Sequence, residues 1–220
     1  WDANGAKQNT DALTNGRITA GLDLSGKNDL SSLVLDALYE KTHSLFAYFW
    51  KPTDNLMDMV KKDRVPYDLW VQQGFIEGVP GKTIDYEYIA QKVYELHLLY
   101  HIDELRFDSC RIEDCQRALD KVECKSHIKD KEEPESDNSL CLVPHGQGYK
   151  DMNPAIEAVE DVFTESRARH NNKPVFIVSD NRPDDSSLYS VYPSNLFGIV
   201  DGYWCLPPIY EETGLCHETV

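Results

Sequence analysis

Three β-rich apolar runs open the chain, Arg17 to Leu24, Ser32 to Tyr39 and Ser44 to Trp50, with short turns between them. That pattern predicts consecutive antiparallel strands. The first run carries one aspartate, Asp23, out of an otherwise apolar stretch. Asp54 to Asp63 reads as a short helix with Thr53 or Asp54 as its cap, and Pro66 opens another through Trp70 to Gln73, before Gly74. Thr83 to Tyr100 has the strongest helical period, with Ile84, Tyr88, Ile89, Val93, Leu96 and Tyr100 on one stripe and Thr83 at its cap. Leu105 to Asp108 is a short strand ending in a second aspartate, and a helix from Ile112 to Val122 follows. Leu140 to Val143 is a buried strand, Pro154 to Arg167 an amphipathic helix, and Pro174 to Ser179 a further strand or extended segment.

Between these elements the pattern breaks twice. Residues 1–16 are polar and rich in Gly and Asn, and read as a linker or tail. Residues 125–139 are dense in charge and poor in apolar side chains, which predicts an exposed loop insertion. From Asp180 on, Pro, Ser and Asp dominate and no element is assigned. The alternation of strands and helices predicts an α/β fold, a mixed β-sheet flanked by helices on both faces.

An aspartate fixed on a central strand is costly unless a cation compensates it, and a metal ion is the usual compensator. Asp23 and Asp108 each end a strand. Where strands lie side by side with crossover helices, their carboxyl ends share one edge of the sheet. Two carboxylates there repel, raising one pKa, unless cations hold them. Such an oxygen-rich site suits Mg²⁺ or Mn²⁺ better than zinc. The alternative is one capping aspartate and one surface aspartate.

Composition narrows the classes. With 220 residues and a 41% hydrophobic share, the chain can bury one sizeable core. No apolar run reaches the ~18 residues of a membrane span. The start, Trp1-Asp2-Ala3-Asn4, lacks an initiator Met and a signal pattern and reads as an excised domain of a longer protein. The six cysteines form no CxxC pair, which favours reduced cytosolic thiols over a metal or disulfide framework. A net charge of −16 excludes nucleic-acid binding by bulk electrostatics but not a metal-recruiting enzyme.

Several blocks share one resemblance: Tyr48-Phe49-Trp50-Lys51-Pro52, Arg64 to Trp70, Gly81 to Tyr86, Val143 to Lys150 and Arg169 to Val175. In order and spacing they resemble the nuclease domain of tailed-phage large terminase subunits, over roughly residues 17 to 180. The resemblance implies an RNase H-like domain over 17–220 and metal-dependent cleavage of double-stranded DNA during genome packaging. It implies three acidic ligands for two divalent ions, Mg²⁺ or Mn²⁺: Asp23 in Gly-Leu-Asp-Leu-Ser, Asp108 in Arg-Phe-Asp, and Asp201 in Val-Asp-Gly. Two ions about 3.5–4 Å apart can activate a water and stabilise the leaving oxygen, with Asp23 bridging them. The implied partners are a terminase ATPase domain outside this chain, a small terminase subunit and a portal protein. The implied place of work is the host cytoplasm, on the procapsid.

The family's third motif usually follows Lys-Ser-Thr and opens a long helix, whereas here Ser194 to Phe197 precede it and Pro207-Pro208 follow. The family's phenylalanine before Gly-Gln-Gly is His145 here, with a structural or a phosphate-facing role. Asp29 caps the turn after Asp23 or holds an outer-shell water. Lys61, Lys62 and Arg64, and a second cluster of Arg167, Arg169 and Lys173, contact DNA backbone or form solvated faces. Gly81-Lys82-Thr83 lacks the spacing of a phosphate-binding loop and no strand precedes it, so ATP binding is rejected. Two other functions fit the residues: a resolvase-like nuclease on branched DNA, and a catalytically weak docking module for the packaging motor or portal.

Overall fold

The computed structural model describes residues 4, 7–25, 30–134, 136–146, 148–171, 175, 198–200 and 203–205. A one-turn helix, α1 (Ala12–Asn15), leads into an antiparallel meander of β1 (Arg17–Asp23), β2 (Ser31–Tyr39) and β3 (Thr42–Pro52). Burial along β1 and β2 is almost continuous, because both faces of the sheet are covered. Glu40 and Lys41, both at positive φ, make the two-residue reversal between β2 and β3 that matches strand twist.

The chain then leaves the carboxyl end of β3 through α2 (Leu56–Asp63), α3 (Tyr67–Gln72) and the short β4 (Glu77–Val79). Next comes α4 (Tyr86–Tyr100), whose N-cap Asp85 accepts a hydrogen bond from the Glu87 backbone N–H at 3.1 Å. β5 (Glu104–Asp108), α5 (Ile112–Lys121), β6 (Ser126–Ile128), β7 (Leu140–His145), α6 (Tyr149–Thr164) and β8 (Ala168–Arg169) follow. Farther on, β9 (Gly198–Val200) and β10 (Tyr203–Cys205) pair antiparallel.

The main sheet runs β4-β3-β2-β1-β5-β7-β6, with β8 beside the start of β3. Crossover helix α4 leads to β5, parallel to β1, α5 leads on to β6, and β7 then inserts between β5 and β6, parallel to both. Strand alternation divides the core. Ile18, Ala20, Leu22, Leu33, Leu35, Leu105 and Phe107 pack with Ile89, Val93 and Leu96 of α4 and Cys115 and Leu119 of α5. On the opposite face Val34, Leu45, Ala47 and Phe49 pack with Met59, Tyr67, Trp70 and Val162 from α2, α3 and α6.

Five sequence expectations change. A strand does precede Gly81-Lys82-Thr83, because β4 ends at Val79, and the rejection of a phosphate-binding loop rests on spacing alone. Part of the linker or tail packs on the sheet: Ala12 and Leu13 are buried, Asn9 N–H donates to Ser44 Oγ, and the Gln8 amide donates to the Leu45 carbonyl. The charged loop contains β6, held to β7 by a parallel backbone ladder and by the buried Ile128. α6 starts five residues before Pro154 rather than at it, because Met152 and Ala155 draw its first turns into the core. The N-caps of α2 and α4 are Asn55 and Asp85, not Thr53, Asp54 or Thr83. The segment expected at 174–179 lies outside the described residues except for Val175, which is buried.

Candidate metal centre

Register assembles the site. β1 and β5 pair Thr19 with Glu104, Gly21 with Arg106 and Leu22 with Phe107, so one further step sets Asp23 beside Asp108. β5 and β7 pair Asp108 with His145. Leu22 and Phe107 enter the α4–α5 core, so alternation turns Asp23 and Asp108 to the other face. Two aspartates and a histidine, all half-buried, thus occupy the carboxyl ends of three adjacent parallel strands, spaced about 4.8 Å apart.

Neighbouring elements brace this edge. The Ser25 backbone N–H donates to Ser31 Oγ at 2.8 Å, and Tyr86 at the start of α4 donates its hydroxyl to the Ser25 carbonyl at 2.7 Å. Burial pushes the Tyr86 pKa up. The Asp114 and Asp23 carboxylates push the same way, against Arg111. That coupling brings the α4 terminus within the electrostatic reach of Asp23. The turn Ser109–Arg111 follows Asp108 directly, and Arg111 reaches Asp114 at 3.5 Å.

On the other side, the His145 Nδ1 donates to the Gly146 carbonyl at 2.8 Å, which sets the imidazole's orientation. Burial and the Arg106 charge push its pKa below the ordinary value, against the Gly146 carbonyl and Asp151. Gly146 has a packing reason. A Cβ there would stand 2.4 Å from Asp151 Oδ2, so a larger residue would have to turn the Asp151 side chain aside. Asp151, which sequence reasoning passed over, is therefore delivered to the same end of the sheet.

One strand step behind Asp108, a charged trio lies on the same face. Glu104 is buried and accepts from Arg106 Nη2 at 2.8 Å and from Lys129 Nζ at 2.6 Å. Burial alone would raise the Glu104 pKa, but these two cations outweigh it and hold the carboxyl below its ordinary value. This trio was also missed, although Glu104-x-Arg106-x-Asp108 on a strand already implies one shared face.

The two carboxylates fit a hard divalent cation by donor chemistry and placement. Among the described residues no group of three His, Cys, Asp or Glu side chains converges into a metal cage. Asp201 and Asp29 lie outside the described residues, as does Lys173. Lys61, Lys62 and Arg64 are exposed on the segment that leaves the Asp23 end of the sheet. Arg167 and Arg169 fall at the opposite end. β8 pairs with His43 and Ser44, level with the start of β1 and six residues, about 20 Å, from Asp23. Arg167 donates there to Glu165 and to Nε2 of His43, whose Nδ1 bonds the buried Asp36 at 2.9 Å. Cys115, Cys124 and Cys141 are free thiols, and burial pushes Cys115 to about 12 and Cys124 to about 11. No helix among the described residues is long and apolar enough to cross a membrane.

An antiparallel meander extended by parallel strands, with acidic residues at the ends of β1 and β5, defines an RNase H-like nuclease fold. The sequence profile of the terminase large subunit endonuclease domain matches residues 7–183, and the chain belongs to that family. It is 34% identical over 161 residues to the large terminase subunit of Enterobacteria phage HK97, covering 71% of this chain and 28% of that protein. The crystal structure of the HK97 bacteriophage large terminase aligns with a TM-score of 0.69 and 31% identity, over 81% of this chain and 34% of the other. The chain therefore spans about a third or less of the length of these relatives.

Proposed function

We propose that this chain is a divalent-metal-dependent endonuclease that cuts double-stranded DNA during viral genome packaging. The observation that carries the reading is the register that sets Asp23 beside Asp108 at one end and on one face of the sheet. Asp23 on the central strand and Asp108 beside it, with Asp201 as the third acid, would hold the ions. Two Mg²⁺ or Mn²⁺ ions held there would supply an activated water and charge neutralisation at the phosphate. The residues themselves fix the geometry: the strand ladder holds the two aspartates, and Tyr86 restrains the chain leaving Asp23 through the Ser25 carbonyl. Lys61, Lys62 and Arg64, exposed on the segment after β3, would meet backbone phosphates near the cut. Arg167 ties β8 to β3 through His43, and Arg169 folds back on the Ser166 and Ala168 carbonyls.

In the larger assembly such a domain would act with a terminase ATPase, a small terminase subunit and a portal, on a procapsid in the host cytoplasm. The test is cleavage of supercoiled plasmid with Mn²⁺ or Mg²⁺. Nicking and linearisation by the parent chain, lost in EDTA and reduced at least a hundredfold in Asp23→Asn and Asp108→Asn, is the expected outcome. Undiminished cleavage by both variants would contradict it. Preference for a four-way junction over plasmid would move the assignment to a resolvase-like nuclease.

A further inference from the structure

The geometry points to Arg106 and Lys129, clasped on Glu104, as a docking station for the phosphate backbone of the DNA strand that enters the metal edge. This rests on the nuclease reading above and extends it to where the substrate lies. Glu104, Arg106 and Asp108 alternate with the core residues Leu105 and Phe107, so all three lie on the Asp23 face. Successive members are about 6.6 Å apart along the strand. In register, Arg106 stands beside Gly21, which has no side chain, so nothing from β1 covers the guanidinium at that position.

Charge supports the assignment. One carboxylate receives two cations, 2.8 Å from Arg106 and 2.6 Å from Lys129, leaving the trio with a net positive charge in a chain whose formal charge is −16. An acidic protein that must approach a polyanion needs local cation surplus near its reactive edge, and this one lies a single strand step from Asp108. The Arg106 guanidinium is also incompletely used. Glu104 engages Nη2, whereas Nε is buried and has no acceptor among the described residues. Buried arginine donors are normally satisfied, so an orphan beside a proposed substrate path marks a place for an incoming acceptor. A phosphate is the acceptor whose geometry a guanidinium fork matches. Lys129, whose side chain is 44% exposed, adds a second point charge reachable from solvent.

The test is duplex binding in EDTA, followed by fluorescence anisotropy from low to moderate salt for the parent chain, Arg106→Gln and Lys129→Gln. Each variant should lower the slope of log affinity against log salt by about 0.9, one phosphate contact's worth, and weaken binding several-fold at low salt. Lys129→Gln should still unfold in one cooperative urea transition, with some loss of stability from the Glu104 contact, and because Lys129 is an exposed residue this variant decides the matter even if Arg106→Gln does not fold. A parental slope in folded Lys129→Gln, or no measurable duplex binding by the parent chain at low salt, overturns the proposal. Plasmid cleavage with Mn²⁺, run in parallel, reads the nuclease assignment separately.

Discussion

Replacing Asp108 with asparagine should reverse its stability relative to the parent chain according to whether metal is present. Asp23 and Asp108 end adjacent parallel strands on one face, and both are half-buried. Unit charges about 4 Å apart interact by about 1 kcal/mol in water and about 4 kcal/mol at an effective dielectric of 20. A half-exposed pair lies toward the lower figure, so Asp108→Asn should gain about 1 kcal/mol in EDTA at low ionic strength. Mn²⁺ at a hundred times its dissociation constant should stabilise the parent by about 2.7 kcal/mol. The asparagine variant, short of one anionic ligand, should gain little. Urea unfolding at pH 7 with and without Mn²⁺ measures both differences, with the surface substitution Asp130→Asn as the control. Equal stabilisation of parent and variant by Mn²⁺, or an Asp108→Asn protein less stable than the parent in EDTA, would refute the reasoning.

Other consequences concern the frame. A Cβ on Gly16 would stand 2.6 Å from the Ala12 carbonyl oxygen and 2.7 Å from that of Leu38, so Gly16→Ala should cost about 1–3 kcal/mol by urea unfolding. Asp85→Ala removes the cap of α4 and should cost about 1 kcal/mol in the same assay. His97 is buried and its Nε2 donates to the Asn138 carbonyl. Burial holds its pKa below 6.5, with the neighbouring His101 adding to the effect. The unfolded chain therefore takes up its proton first, and stability falls as pH drops from 6.5 through the lower folded value. His97→Gln should flatten that acid limb in pH-dependent melting, and an unchanged limb would exclude His97 as a contributor.

The strands of the meander, α4 and β5 were legible because their apolar patterns coincide with the sheet's burial. The meeting of Asp23 with Asp108 at one edge was legible for the same reason, since parallel strands flanked by crossover helices share their carboxyl ends. β6 was hidden because Ser126-His127-Ile128 is a strand by virtue of its backbone ladder, with one buried side chain. The start of α6 was misplaced because Pro154 resembles a first-turn proline, while the deciding contacts come from Met152 and Ala155. Arg167 and Arg169 looked like a DNA-facing cluster in one dimension. Only the pairing of β8 with the start of β3 reveals that they stand at the far end. Lys129 could not be linked to Glu104 from sequence, because β6 and β5 are not neighbours in the sheet and β7, later in the chain, lies between them.

The most direct test of the account is a crystal of this chain soaked in Mn²⁺ and measured at a wavelength that reveals manganese by anomalous scattering. The account predicts density within bonding distance of the carboxylates of both Asp23 and Asp108. A fully soaked crystal with no manganese at that edge, or manganese bound only elsewhere, would contradict it.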